Sequence, residues 1–180
     1  IGAVDFTGDM PIILGPDGPS LGGFVCPFVT IQADLWKVGQ LAPGDSVRFL
    51  PVSYDQAVAA ERAQDQLVNS LSTGLPTDGE RGDQPLGSPV LHAIEGHGVR
   101  PSVTYRQQGD RNLLVEYGPI VLDLELRLRI HALMLEIQAL GLSGVIDVTP
   151  GIRSLQIHYD GRLLPQRTLL EALVAAEDRL

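Results

Sequence analysis

Cysteine is nearly missing: Cys26 stands alone in 180 residues. That excludes an internal disulfide framework and any all-cysteine metal site, and it fits a reducing compartment. Positive charge is scarce as well, with 13 Lys and Arg against 22 Asp and Glu, a formal net charge of -9 and a pI near 4.7. No Lys/Arg-rich run offsets that balance locally, so neither nucleic acid nor an anionic membrane is an expected partner. No apolar run approaches the ~20 residues that span a bilayer, and no signal peptide opens the chain. The expectation is a soluble, cytoplasmic protein. The four histidines show no HxH or HExxH spacing, so no metal site is expected. GxGxxG and P-loop patterns are missing too, and no internal repeat is apparent. The chain also lacks an initiator Met, opening on Ile1-Gly2-Ala3-Val4 as though it began inside a larger polypeptide.

What is present is enough apolar residue, 44%, to bury a core in one large or two small domains. The organising stretch runs from Tyr105 to Asp160. It reads as strand (VTYRQ), turn (Gly109-Asp110-Arg111-Asn112), strand (Leu113 to Tyr117), long helix, strand (Val145 to Thr149), a Pro150-Gly151 break, and strand (Ser154 to Tyr159). Between Val121 and Ile130 leucines alternate with charged residues, a strand-like period of two. The continuation decides for helix over about Asp123 to Leu140, because Leu126, Ile130, Leu133, Ile137 and Leu140 keep a helical spacing. Asp123 is placed to cap the start and Gly141 to stop the end in a left-handed conformation.

Residues 1–52 read as short β segments between Gly/Pro turns. The strands are Met10 to Leu14, the FVCPFVTI run broken at Pro27, and SVRFLPV, with a short helix capped by Asp34 over Leu35 to Gln40 and a Pro43-Gly44-Asp45 turn. Residues 53–101 read as a helix followed by a linker. Ser53 and Gln56 form a capping box, and Ala60, Ala63, Leu67 and Leu71 mark one side of the helix. Ser72 to Pro101 carries six glycines and four prolines, and Thr73 to Gly87 is expected to be mobile. Residues 102–180 form the α+β unit, closed by a helix that Thr168 and Glu171 would open as a second capping box.

Several residues carry two readings. Gly22-Gly23 either presents backbone N–H groups to an oxygen or an anion, or makes a tight turn. Cys26, without a His or Lys neighbour, reads as a buried inert thiol rather than a nucleophile. Lys37 is either a surface cation whose stem covers Trp36 or a donor to a ligand oxygen. His92 and His97 fall in the expected linker, His131 in the helix and His158 in a strand, where a satisfied strand histidine is the plainer reading than a base. Asp110 either bonds its own turn or acts as a base. Arg153 either binds an anionic group with two donors or pairs with a surface carboxylate.

Two long blocks carry a resemblance. GPDGPSLGGFVCPFVTIQADLWKVGQLAPGDSVRF (Gly15 to Phe49) is similar to the end of the first half of the carboxyltransferase domain of urea carboxylase, the biotin-dependent part of urea amidolyase. YRQQGDRNLLVEYGPIVLDLELRLRIHALM (Tyr105 to Met134) with DVTPGIRSLQIHYD (Asp147 to Asp160) resembles the start of its second half. These halves correspond to Kip-type A and I proteins, which also occur as subunits of bacterial 5-oxoprolinase. The resemblance implies an α+β fold made of the C-terminal part of a cyclophilin-like β-barrel, a helix and flexible linker, and a small α+β subdomain. It implies carboxyl transfer from carboxybiotin to urea, giving allophanate, by a fragment unable to turn over alone. The biotin would ride on a carrier domain and ATP would be used by a biotin carboxylase domain, both absent from this chain. Within the matching motifs, Asp110 and Lys37 are the implied catalytic residues, with Asp110 as proton acceptor. Gly22, Gly23, Phe24, Gln40, Tyr105 and Arg153 are the implied contacts to substrate and biotin. Guanidine or another urea-like compound is the alternative substrate. A Kip-like 5-oxoprolinase subunit and a kinase-inhibitory binding module are the alternative functions. A partial barrel would leave open strand edges, which favour a homodimer.

Overall fold

A computed structural model of the chain describes residues 1–18, 25–71 and 87–180. The chain divides into two compact units, Ile1–Gly87 and Ser88–Leu180. Among the described residues it is a mixed α/β protein with two antiparallel sheets and four α-helices.

In the first unit, β1 (Ala3–Thr7) lies between β2 (Met10–Ile13) and β3 (Phe28–Val29). Thr7 faces Met10 across the β1–β2 hairpin, whose short turn is possible because Gly8 takes φ 67°. β1 was not expected from the residues, whereas β2 falls on the expected Met10 to Leu14 run. β3 is shorter than FVCPFVTI suggests and begins after Pro27, which has no N–H to give a ladder. SVRFLPV forms no strand: residues 45–53 are irregular.

A 3-10 turn (Gln32–Asp34) leads into α1 (Leu35–Val38). Asp34 stands at the N-cap position without a capping hydrogen bond, because its carboxylate is turned to Lys37 at 3.0 Å. The Pro43-Gly44-Asp45 turn forms: Asp45 N donates to Ala42 O at 3.0 Å and Ala42 N to Asp45 Oδ2 at 2.7 Å. α2 (Tyr54–Ser70) opens on the expected capping box, with Gln56 N donating to Ser53 Oγ at 3.2 Å and Ser53 N to Gln56 Oε1 at 2.8 Å. Its buried residues are Ala57 and Glu61, while Ala63 and Leu71 are exposed. The buried side therefore differs from the one the sequence suggests. The expected mobility of Thr73 to Gly87 concerns a stretch that lies, apart from Gly87, outside the described residues.

In the second unit, five antiparallel strands run in the order β4 (Val90–Ile94), β5 (Val103–Gln108), β6 (Asn112–Tyr117), β8 (Ser154–Tyr159), β7 (Val145–Pro150). β4 occupies part of the expected linker, so the sheet has one strand more than the residues suggested. α3 (Leu124–Leu140) and α4 (Gln166–Glu177) supply the helical half of the core. The strand period of two sorts the side chains. Val103, Tyr105, Leu113, Val115, Tyr117, Leu155, Ile157 and Tyr159 are buried in one cluster with Leu126, Ile130, Leu133 and Ile137 of α3 and Leu169, Leu173 and Ala176 of α4. The intervening residues make a polar, half-buried sheet face.

α3 begins as expected: Asp123 Oδ1 accepts from Glu125 N at 2.7 Å and from Leu126 N at 3.2 Å. It ends at Gly141, φ 56°. Leu140, expected on the core stripe, is exposed in the last turn. α4 starts two residues before Thr168, with Pro165 at the N-cap position, so the Thr168–Glu171 capping box does not form. Glu171 instead pairs with Arg167 at 2.9 Å along the helix surface. One ionic group lies within this core. Glu177 accepts from the Tyr117 hydroxyl and from Arg129, whose guanidinium stands 5.8 Å from the Tyr117 ring centroid.

Candidate functional site

The polar face of the five-stranded sheet holds two clusters, one at each end. Gly109, φ 69°, turns the chain from β5 into β6 and sets Asp110 in the turn with only 7% of its surface exposed. Arg111 follows, its carbonyl accepting from Tyr159 N at 3.0 Å and its guanidinium 3.4 Å from Asp160 Oδ1. Asp160 also accepts from Arg162 through Nε (2.9 Å), Nη2 (2.7 Å) and the main-chain N (2.9 Å). The Arg162 guanidinium chiefly, then its main-chain N–H and Arg111, hold the Asp160 carboxyl down at about 2 against the opposing effect of burial.

His158 sits one residue before Tyr159 on the polar side of β8, in register with Asn112 and Asp147. Burial first and the Arg111 charge second push its pKa below the ordinary histidine value, favouring the neutral ring at pH 7. This end of the sheet therefore combines a nearly buried carboxylate, a neutral imidazole and an Arg–Asp–Arg chain. A carboxylate so placed can take a proton from a weakly acidic nitrogen.

The other end is built on Glu116. Arg106 Nε approaches Glu116 Oε2 at 2.6 Å, and Arg153 Nη2 approaches Glu116 Oε1 at 2.8 Å. Arg153 Nη1 also reaches the carbonyls of Tyr117 (3.4 Å) and Gly118 (3.3 Å). Arg153 thus pairs with a carboxylate of its own unit. Four residues of β6 separate the Asn112 and Glu116 rungs, about 14 Å at ~3.4 Å per residue. Asp110 and Arg153 are therefore not brought together.

Tyr105 has no exposed surface and faces the helices. Its hydroxyl is buried with no hydrogen-bond partner, and burial first, then the Glu177 charge, drives its pKa far up. It packs the core there, and its ring lies 5.9 Å from that of His92 on β4. His92 is exposed, as expected, but on an ordered strand.

In the first unit, Lys37 is two-fifths exposed, ion-paired with Asp34 and 6.0 Å from the Trp36 ring centroid. Both earlier readings of Lys37 fit that placement, a surface cation beside the indole and an oriented donor. Gln40 is exposed just after α1, its main-chain N donating to Lys37 O at 3.0 Å. Gly22, Gly23 and Phe24 lie outside the described residues. Cys26, expected to be buried, is exposed. What burial its thiol has, with the Asp5 carboxylate, raises its pKa, which opposes a nucleophilic role. Among the described residues no group of three His, Cys, Asp or Glu is arranged to hold a metal ion, and no helix is long and apolar enough to cross a membrane.

Reading the sequence missed the Arg111–Asp160–Arg162 chain and the Arg106–Glu116–Arg153 group. A signal existed for the second: once β5 and β6 pair about the Gly109 turn, Arg106 and Glu116 fall on the same face two residues apart in register. None existed for Arg162, whose approach depends on the turn after β8.

Comparison with known proteins places these features in a family. Residues 1–51 match the family "Carboxyltransferase domain, subdomain A and B", and residues 103–179 match "Carboxyltransferase domain, subdomain C and D". The urea amidolyase of Lachancea kluyveri is 41% identical over 191 residues, covering 100% of this chain and 10% of that protein. The urea amidolyase of Saccharomyces cerevisiae is 40% identical over 183 residues, again covering 100% of this chain and 10% of that protein. The crystal structure of the Kluyveromyces lactis urea carboxylase superposes with a TM-score of 0.88 at 40% identity, covering 99% of this chain and 16% of that one. The chain thus spans about a tenth of the length of the curated relatives it matches. With both carboxyltransferase matches in order and similarity along its whole length, the chain belongs to the carboxyltransferase family of the urea carboxylases and urea amidolyases.

Proposed function

We propose that this chain is a working part of the carboxyltransferase of a biotin-dependent urea carboxylase, which moves a carboxyl group from carboxybiotin to a urea nitrogen and yields allophanate. The observation that supports this most is the order of the two family matches, subdomains A and B before C and D, in a chain alike throughout to urea amidolyases. Carboxybiotin, carried on a separate domain and charged at the expense of ATP by a biotin carboxylase domain, supplies the carboxyl group. Residues 1–52 then act as the closing strands of a first-half barrel, 53–101 as helix and linker, and 102–180 as the subdomain opening the second half. The protein works in the cytoplasm, and the 180 residues alone do not turn over.

Urea nitrogen is a poor nucleophile because its lone pair is delocalised into the carbonyl. Attack needs a proton acceptor on that nitrogen and a fixed geometry that excludes water. Asp110 takes the proton as the new C–N bond forms; its near burial keeps water from competing. In the first unit, Lys37, held in orientation by Asp34, is a cation able to serve a biotin or substrate oxygen. Gln40, Gly22, Gly23 and Phe24 are the further candidate contacts to substrate or biotin in that unit. Arg153 serves urea by keeping the end of β6 in place through Glu116, and Tyr105 by packing beneath β5.

The test is ATP hydrolysis by the full-length protein with urea, guanidine or 5-oxoproline. Urea-dependent hydrolysis blocked by avidin is the expected result. Hydrolysis driven by 5-oxoproline alone and indifferent to avidin would move the assignment to a Kip-like subunit, and guanidine in place of urea would correct the substrate.

A further inference from the structure

We infer that Asp160 is a positioning residue for the Asp110 turn: its carboxylate grips Arg111, and Arg111 carries the backbone on which Asp110 stands. The role in catalysis rests on the proposed function, but the mechanical claim stands on geometry alone. Three segments meet at Asp160. Its N–H donates to Gly144 O, in the link before β7, at 2.8 Å. Its carbonyl accepts from Leu163 N (3.1 Å) and Leu164 N (2.9 Å) in the turn before α4. Its carboxylate reaches across to Arg111 in the β5–β6 turn.

Arg111 is consequently held by two adjacent residues, through its carbonyl by Tyr159 N at the end of β8 and through its guanidinium by Asp160 just after it. The two partners of the carboxylate differ in setting. The Arg162 side chain is 39% exposed, whereas those of Arg111 and Asp160 are 14% and 13% exposed. If the carboxylate is neutralised, Arg162 can turn to water where it stands. Arg111 loses the carboxylate that ties its nearly buried guanidinium to the end of β8, and the turn that carries Asp110 is left looser. A proton acceptor tolerates little of that, because a displacement of about 1 Å can cost roughly a hundredfold in rate.

The experiment uses Asp160→Asn, Asp160→Glu, Arg111→Lys and Arg162→Gln. Amide hydrogen exchange in the 180-residue chain reads the mechanical claim. Asp160→Asn and Arg111→Lys should each speed exchange at residues 109–112 by about tenfold or more, while the core amides of Leu155 and Ile157 stay protected. Arg162→Gln, which spares the Arg111 contact, should change them by less than about twofold. Unchanged exchange in Asp160→Asn and Arg111→Lys, or an equal effect in Arg162→Gln, would overturn the inference. Should Asp160→Asn fail to fold, Arg111→Lys carries the comparison.

Turnover in the full-length protein reads the catalytic consequence. Asp160→Asn should lower kcat about a hundredfold with KM within about twofold, and Asp160→Glu should recover most of the loss. A rate loss shared equally by Arg162→Gln would mark a merely structural effect and sink the positioning role. If the wild type shows no urea-dependent turnover, the proposed function fails while the exchange result still decides the clamp.

Discussion

The two units treat their apolar side chains differently. In the second, a strand period of two meets two helical stripes, so Leu113, Val115, Leu155 and Ile157 lie fully buried against Ile130, Leu133, Leu169 and Leu173. In the first, Val4, Ala33 and Ala57 are buried, but Phe6, Phe28 and Phe49, in edge-to-face contact at 6.3 and 5.0 Å, each stay about two-fifths exposed. A sheet becomes a core when another layer covers it. The five-stranded sheet has α3 and α4; the three-stranded one carries aromatic residues that remain partly in water. The lesson is that apolar content alone does not announce a core. The second unit has the layers that let a chain fold as a unit, and the other face of its sheet is polar and half-buried.

Substitutions can widen or close that contrast. The largest effect is expected from Glu177→Ala, which strips a half-buried Arg129 of its carboxylate and Tyr117 of its acceptor. The unfolding free energy of the second unit, followed by amide hydrogen exchange at Leu155 and Ile157, should fall by about 3–5 kcal/mol. Leu133→Ala should cost about 2–5 kcal/mol in the same unit, whereas Phe28→Ala, at a half-exposed site, should cost under ~1.5 kcal/mol in the first. Trp36, the chain's one tryptophan, reports the first unit by fluorescence. Equal losses from Leu133→Ala and Phe28→Ala would erase the distinction between the units.

Acid should act next. Asp160 has its pKa lowered from 3.8 to about 2, so between those values the unfolded chain binds the proton more readily than the folded one. Stability on the order of 2 kcal/mol is therefore present above about pH 4 and lost as pH falls towards 2. An unfolding free energy in Asp160→Asn that changes with pH over that window as steeply as in the wild type would refute this assignment. The smallest effect is expected from Ser53→Ala, which removes one side of the α2 capping box and should cost the first unit about 1 kcal/mol. The Trp36 signal should register it while amide protection of Leu155 and Ile157 does not change.

Local chemistry was legible where it is self-contained. Asp123, Gly141, Ser53 and Gln56 act on main-chain groups within a few residues, so the boundaries of α3 and the start of α2 could be read directly. The alternation in β5, β6 and β8 was legible because each has one buried face. β1 and β4 were hidden because their ladders depend on partners far along the chain, and Gly and Pro around β4 resemble a linker. SVRFLPV has strand composition but pairs with no strand among the described residues, and the expected cap at Thr168 lost to Pro165, whose fixed φ suits a helix entry three residues earlier. The turn that carries Asp110 was legible from Gly109-Asp110-Arg111-Asn112. The contacts of Asp160 were not, because they arise from three segments that only folding brings together.

The most direct measurement is the urea-dependent rate of ATP hydrolysis in the full-length protein carrying Asp110→Asn, set beside the wild type. With Asp110 as proton acceptor, the urea-dependent rate should fall by about 10²–10⁴ while the urea-independent rate persists. A variant that keeps the wild-type urea-dependent rate within about threefold would contradict the role given to this carboxylate and, with it, the placement of the chemistry at this end of the sheet.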